Sequence, residues 1–342
     1  MSDNNSILVV GPSWVGDMVM AQSLFISLRQ QQPDVEIDVL APGWSLPLLQ
    51  RMPEVRKAIE MPVGHGRLDL KARYRLGRSL IGRGYDKAIL LPNSLKSALV
   101  PFWARIPKRT GWVGEMRYGL LNDIRKLDKS ELTMTVQRFV ALAYPPEMDV
   151  RDKIPVPSLK LSNSDVETAR RELRLEQPQE KLLILCPGAE YGPAKCWPHD
   201  YYGELAGRMI DQGWSVWLFG SEKDRAACSG VDTVSGGRCV NLSGRTTLAQ
   251  AVDLMSLAGA VVSNDSGLMH VAAALDRPLV AIYGSSDPGF TPPLNPRNRI
   301  LHLGLDCGPC FKRECPEGDL RCLRGISVET VFAALQQLVE GN

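Results

Sequence analysis

Residues 261–274 read VVSNDSGLMHVAAA: an apolar run, a short polar turn, then an apolar stretch with helical spacing. A strand ending at Asn264 and a helix opening near Gly267 form the repeating unit of a parallel α/β sheet. Ser266 and Gly267 then offer backbone N–H groups at a helix start, a natural seat for a diphosphate. Gly267 has no side chain to block close approach, and His270 lies one turn further on, where it can reach a phosphate or a ribose hydroxyl. A plainer reading fits the same residues: Asp265 or Ser266 as an ordinary N-cap and His270 as a half-buried core residue.

The pattern recurs upstream. Residues 186–206, CPGAEYGPAKCWPHDYYGELA, again follow an apolar run and precede a helix, and they place Lys195 in a loop flanked by glycine and proline. A lysine there can neutralise a departing diphosphate as a point charge, or it is a solvated loop residue. The stretch LFGSEKD brings Ser221 and Glu222 to the end of another strand, where the base or ribose of a nucleotide would lie. Residues 241–258, NLSGRTTLAQAVDLMSLA, supply a fourth loop, Ser243 to Thr247, with Thr246 or Thr247 capping the next helix. Four strand-to-helix loops converging on one anion site point to a nucleoside diphosphate held without the lysine of a G-x-x-x-x-G-K-[ST] loop. No D-x-D motif lies in a suitable strand-end loop, so the sequence demands no metal.

Strand and helix signals alternate through the whole chain of 342 residues, which is long enough for two domains. In the first half strands fit 6–11, 35–41, 57–61, 85–92 and 108–112, and helices fit 17–31, 43–52, 67–83, 94–105 and 133–144. Residues 144–165, rich in proline and charge and without periodicity, read as a linker. The alternation then restarts, with strands at 182–187, 215–220, 260–264 and 278–284, helices at 200–212, 248–258 and 267–275, and a closing helix at about 327–340. The expected class is α/β, with two Rossmann-like domains whose parallel sheets face across a cleft. Their expected spans are 1–155 and 156–325, with a segment 326–342 that packs back toward the first. Ligands of such sheets bind at the carboxyl ends of the strands.

The 40 basic and 38 acidic residues leave a net charge of +2, which does not by itself point to nucleic acid. Basic residues do concentrate in two stretches, Arg67 to Lys87 and Arg105 to Lys126, either as solvated faces or as a surface for an anionic partner. The chain lacks the interleaved aromatics of a single-strand platform. MSDNNSILVV has neither the basic segment nor the apolar core of a signal peptide, and no run approaches a membrane span. A cytosolic protein with mostly reduced cysteines is expected.

The remaining puzzle is GPSWVGDMVMAQSL, residues 11–24, where a carboxylate, Asp17, sits at a helix mouth that would otherwise suit a phosphate. Together with PNSLKSALVPFWARIPKRTGW, CPGAEYGPAKCWP, LFGSEKD and NDSGLMHVAAALDRPLVAIYG, this stretch resembles the ADP-heptose:lipopolysaccharide heptosyltransferases, glycosyltransferase family 9. The likeness runs from about residue 6 to about 300. It implies an inverting, metal-independent glycosyltransferase of the GT-B fold that needs no cofactor. The donor implied is ADP-L-glycero-D-manno-heptose, and the acceptor an inner-core lipopolysaccharide that already bears one heptose. A cytoplasmic chain working at the face of the inner membrane follows, with no nucleic-acid partner. Transfer onto an acceptor without heptose, and a catalytically silent nucleotide-sugar-binding protein, stay open at this point.

The resemblance assigns Asp17 as the general base, since an inverting transfer needs one base and no carboxylate nucleophile. Lys195 would support the leaving ADP. Donor contacts would come from Ala189, Glu190, Tyr191, Glu222, Thr246, Asp265, Ser266, Gly267 and His270. Acceptor contacts would come from Gly16, Asn93, Lys96, Arg109 and Arg117, with Arg67 and Lys71 as further basic candidates. A last feature stands apart: Cys307, Cys310, Cys315 and Cys322 form a C-x2-C-x4-C-x6-C pattern. Zinc, packing thiols and a disulfide all suit it, and no metal site is assigned.

Overall fold

The computed structural model describes residues 5–64, 66–176 and 181–340, so the first four residues of the N-terminal stretch and the last two of the closing segment lie outside the described residues. Contacts divide the chain after Lys160. The first unit carries one parallel sheet made of β1 (Ser6–Val10), β2 (Glu36–Pro42), β3 (Val55–Met61), β4 (Lys87–Leu90), β5 (Lys108–Trp112) and β6 (Asp123–Arg125). Its order is β3-β2-β1-β4-β5-β6. The second unit carries β7 (Leu182–Cys186), β8 (Ser215–Leu218), β9 (Val240–Asn241), β10 (Ala260–Asn264), β11 (Leu279–Ile282) and β12 (Asn298–Leu301), also parallel. Read from β9, its order is β9-β8-β7-β10-β11-β12, the same topology as the first.

The apolar runs explain the central strands. Every residue of β1, β7 and β10 is buried, as befits strands covered on both faces by helices. In the first unit Leu8, Val10 and Leu90 pack against Ala98 and Val100 of the helix Leu95–Trp103. In the second, Leu183, Leu185, Val262 and Ile282 pack with Trp197 and Tyr202. The closing helix Val328–Glu340, for which the sequence suggested packing toward the first unit, adds Val331, Leu335 and Leu338 to this second core.

Three short strands, β6, β9 and β12, and the helices Asn163–Glu172 and Arg225–Val234 were not legible in the sequence. The first of those helices starts inside the stretch read as a linker. The part of that stretch before it is tied down by polar contacts. Buried Gln22 exchanges two hydrogen bonds with the Ser158 backbone (3.0 and 2.7 Å), and Ser23 Oγ donates to Pro155 O (2.6 Å).

Candidate functional site

In each sheet the strand order reverses beside the first strand, between β1 and β4 and between β7 and β10. A crevice opens outside the carboxyl ends at such a point. The loops after these four strands and the first turns of the helices that follow carry Gly16 and Asp17, Asn93 and Lys96, Lys195, and Asp265 with Ser266.

In the second unit the loops meet through side chains. Lys195 Nζ lies 2.5 Å from Asp265 Oδ2, and the same oxygen accepts a 2.5 Å hydrogen bond from Ser286 Oγ. Asp265 and Ser286 are buried, while Lys195 keeps about a sixth of its side chain exposed (17%), enough to reach a ligand. Two turns of chain are pinned at this point by Asn264, which is fully buried. Its Oδ1 accepts from Trp197 N (3.0 Å) and Tyr202 Oη (3.1 Å), and its Nδ2 donates to Pro187 O (2.7 Å). Asn264 and Ser286 were missed by sequence reasoning. Asn264 had a signal, a polar residue ending a mostly apolar strand; Ser286 had none.

Ser266 sits at the N-cap of the helix Gly267–Ala274 with extended backbone and no side-chain cap, so the plain N-cap reading does not hold for it. The first N–H groups of that helix therefore have no intrahelical partner. His270 is buried inside the same turn; burial pushes its imidazole down to about 4, with Lys195 adding to the shift and Asp265 opposing it. It is thus a neutral donor or acceptor at physiological pH.

The outer two loops adjoin this centre. Lys223, after β8, pairs with Glu190 of the β7 loop, and Gly188 packs against the Asp224 carboxylate. Glu222 pairs with Arg225 (2.6 Å) and lies against Gly244 of the β9 loop, whose φ of +68° suits glycine. Thr247, not Thr246, caps the following helix, accepting from Gln250 N (3.2 Å). Thr246 is left half-buried at the loop's end, and Ala189 and Tyr191 are likewise half-buried on the β7 loop. The Tyr191 ring is flanked by Lys195 Nζ at 5.0 Å, and its hydroxyl donates to Phe311 O (2.6 Å). The four strand-end loops of this unit thus form one contiguous surface of charged and open polar groups.

In the first unit Gly16 is buried and Asp17 half-buried in the first turn of the helix Val15–Gln31. Lys96, in the first turn of Leu95–Trp103, lines a hollow of about 80 Å³ together with Gly11, Ser13 and Ser94. Two expected acceptor contacts are displaced. Arg117 is 2% exposed, and its guanidinium donates to Pro92 O, Trp112 O, Ser97 Oγ and Asn93 Oδ1 at 2.7–3.2 Å. It braces the loop that holds Asn93, and burial pushes it down to about 10. Arg109 lies at the amino end of β5, opposite the strand-end loops, where it donates to Leu120 O and Ile106 O. Sequence does not show whether a guanidinium meets solvent or backbone carbonyls, which is why the buried Arg117 and the half-buried Arg109 both looked like acceptor cations. Arg67 and Lys71 are exposed.

The eight cysteines are free thiols, and among the described residues no group of three or more His, Cys, Asp or Glu is arranged to hold a metal ion. Among the described residues, no helix is long and apolar enough to cross a membrane.

A model of glycosyltransferase family 9 (heptosyltransferase) matches residues 73–321, which take in the later part of the first unit and all four loops of the second. The chain belongs to that family. Its relatives include the lipopolysaccharide heptosyltransferase 2 of Escherichia coli K12, 48% identical over 342 residues that cover 97% of this chain and 98% of the relative. The lipopolysaccharide heptosyltransferase 1 of Pseudomonas aeruginosa is 28% identical, over 90% of this chain and 87% of its own. Among solved structures, the E. coli ADP-heptose LPS heptosyltransferase II superposes with a TM-score of 0.86 and 46% identity, covering 98% of this chain and 99% of that one. The expected class, α/β with two Rossmann-like units of the GT-B fold, is the one found. As a family 9 glycosyltransferase the chain is an enzyme.

Proposed function

We propose that this glycosyltransferase moves L-glycero-D-manno-heptose from ADP-heptose onto the first heptose of the lipopolysaccharide inner core. The type 2 relative supports that acceptor, being 48% identical against 28% for the type 1 enzyme. The observation that carries the donor half is the Lys195–Asp265–Ser286 cluster beside the open helix start at Gly267.

The acceptor hydroxyl oxygen attacks the anomeric carbon while the bond from that carbon to the diphosphate breaks. Asp17 takes the hydroxyl proton, and the configuration inverts in this single displacement. ADP leaves with the bonding pair. Its growing charge is met by Lys195 and by the N–H groups at Ser266 and Gly267, fixed before the reaction begins. Asp265 holds Lys195 in place and releases part of that charge to the diphosphate when donor binds. His270, neutral, offers a hydrogen bond without adding charge. Glu222 takes the ribose and Thr246 lies by the adenine, while Ala189, Glu190 and Tyr191 form the wall beside the diphosphate. Gly16 lets the acceptor approach Asp17, and Asn93 and Lys96 receive its anionic groups. An acceptor anchored in the cytoplasmic leaflet brings the enzyme to that membrane face.

The test is ADP release from ADP-heptose with Kdo2-lipid A bearing no heptose or one, for the native chain and Asp17→Ala. Turnover only on the one-heptose acceptor, reduced by roughly 100- to 10,000-fold in Asp17→Ala, is expected. Turnover on the heptose-free acceptor refutes the acceptor assignment, and full activity of Asp17→Ala refutes the base.

A further inference from the structure

The cysteine-bearing stretch 307–322 plays no part in the scheme above, yet it touches the donor loop repeatedly. Its backbone runs against residues 191–194: Tyr191 Oη donates to Phe311 O (2.6 Å) and Ala194 N donates to Arg313 O (3.0 Å). Phe311 N in turn donates to Ser285 O (2.7 Å), next to the Ser286 that holds Asp265. Gly192 marks how close the two segments come. A Cβ there would lie 2.5 Å from Arg313 O, and the φ of +152° is itself one that side chains rarely adopt. These contacts fix where Arg313 projects: its guanidinium carbon stands 5.3 Å from the centre of the Tyr191 ring, the ring that Lys195 Nζ also flanks at 5.0 Å.

The charge balance at this point is incomplete. Lys195, Lys223 and Arg225 each face a carboxylate, Asp265, Glu190 and Glu222 respectively. A diphosphate brings more than one negative charge, and Lys195 alone, already paired with Asp265, does not match it. Arg313 is exposed and pairs with no carboxylate among the described residues. Its planar fork is the geometry that grips two phosphate oxygens at once.

We infer that Arg313 is a donor-binding residue, the second cation for the diphosphate, presented by the cysteine-bearing loop and held in place by Tyr191. This rests on the reading of the second unit as an ADP-heptose site. The guanidinium rests over the face of the Tyr191 ring as a cation–π pair, and on donor binding it turns from that face to the diphosphate. Tyr191 is then a positioning residue for both cations rather than a contact made through its hydroxyl, which is spent on Phe311 O.

The experiment is calorimetric titration of ADP, AMP and adenosine into the native full-length chain, Arg313→Ala, Arg313→Lys and, as a neighbouring-charge control, Lys312→Ala. Loss of one charge-assisted phosphate contact weakens ADP about 10-fold or more. Adenosine is expected to be unaffected, AMP weakened less than ADP, Arg313→Lys intermediate and Lys312→Ala close to native. The KM for ADP-heptose should rise with that of the acceptor unchanged. ADP affinity of Arg313→Ala within twofold of native overturns the inference while leaving the donor site intact. Equal weakening of ADP and adenosine overturns it too, by showing a general disturbance of the loop. A native chain that binds no ADP overturns the donor reading itself, and the role of Arg313 with it.

Discussion

Replacing Asn264 by alanine is the sharpest test of how the second unit builds its site. The side chain is fully buried and makes three hydrogen bonds, to Trp197 N, Tyr202 Oη and Pro187 O. Truncation removes all three and strands a buried N–H at Trp197 and a buried carbonyl at Pro187. A hydrogen bond contributes about 1 kcal/mol net, and a buried group left without a partner costs about 1–3 kcal/mol. The loss is therefore roughly 3–5 kcal/mol, a large share of the 5–15 kcal/mol that keeps a typical domain folded. Hydrogen exchange read by mass spectrometry on peptides from β7 and β10 reports the second unit alone. Protection there should fall by roughly 100-fold or more in Asn264→Ala, and ADP affinity should fall with it, since Lys195 precedes Trp197 by two residues and Asp265 follows Asn264 directly. Asn264→Asp should lose at least as much at neutral pH, because it buries an unpaired carboxylate next to Asp265 and sets it against Pro187 O. A drop in protection below tenfold in Asn264→Ala would refute the claim that this amide pins the two loops together.

Two further outcomes follow from burial. His270 titrates at about 4 in the fold against an ordinary value of 6.5, so below about pH 6.5 the unfolded chain takes up a proton that the native one refuses. Stability is thus lost progressively as pH falls from about 6.5 toward 4; urea unfolding at pH 7 and 5 should show a smaller loss in His270→Gln than in the native chain, and an equal loss would disprove the buried neutral state. Arg117→Met should lower the melting temperature and raise the acceptor KM through Asn93, with donor KM untouched, because four hydrogen bonds of a buried guanidinium are removed at a cost of roughly 3 kcal/mol. Native-like melting with weakened acceptor would mean that Arg117 contacts the acceptor directly.

What the sequence disclosed follows from which forces act locally. Strands such as Leu182–Cys186 and Ala260–Asn264 are buried on both faces and mostly apolar, and their loops announce themselves by glycine, proline and a following helical pattern. The edge strands β6, β9 and β12 have two to four residues and little apolar content, so they owe their pairing to a neighbour that sequence does not reveal. The helix Asn163–Glu172 buries only Ala169 and hides in a polar stretch. Lys195 and Asp265 stand out as charges in strand-end loops, whereas the Ser286 bond and the tie from Arg313 to Tyr191 join residues far apart in the chain. Arg109 and Arg117 mislead for the same reason, since whether a guanidinium meets solvent or carbonyls is settled by tertiary structure.

The shared strand order has a consequence for how the molecule is made. In each sheet the seam beside the crevice joins strands distant in sequence: Ile7 pairs with Lys87, and Leu183 with Ala260. As the chain leaves the ribosome, β1, β2 and β3 can align early, but β1 keeps a bare, apolar edge until β4 arrives, and β7 waits likewise for β10. Pairings of such long range are slow to form, and open edges invite association with other chains. The same seams that place the chemistry thus leave each unit with its most exposed stretch of backbone during synthesis.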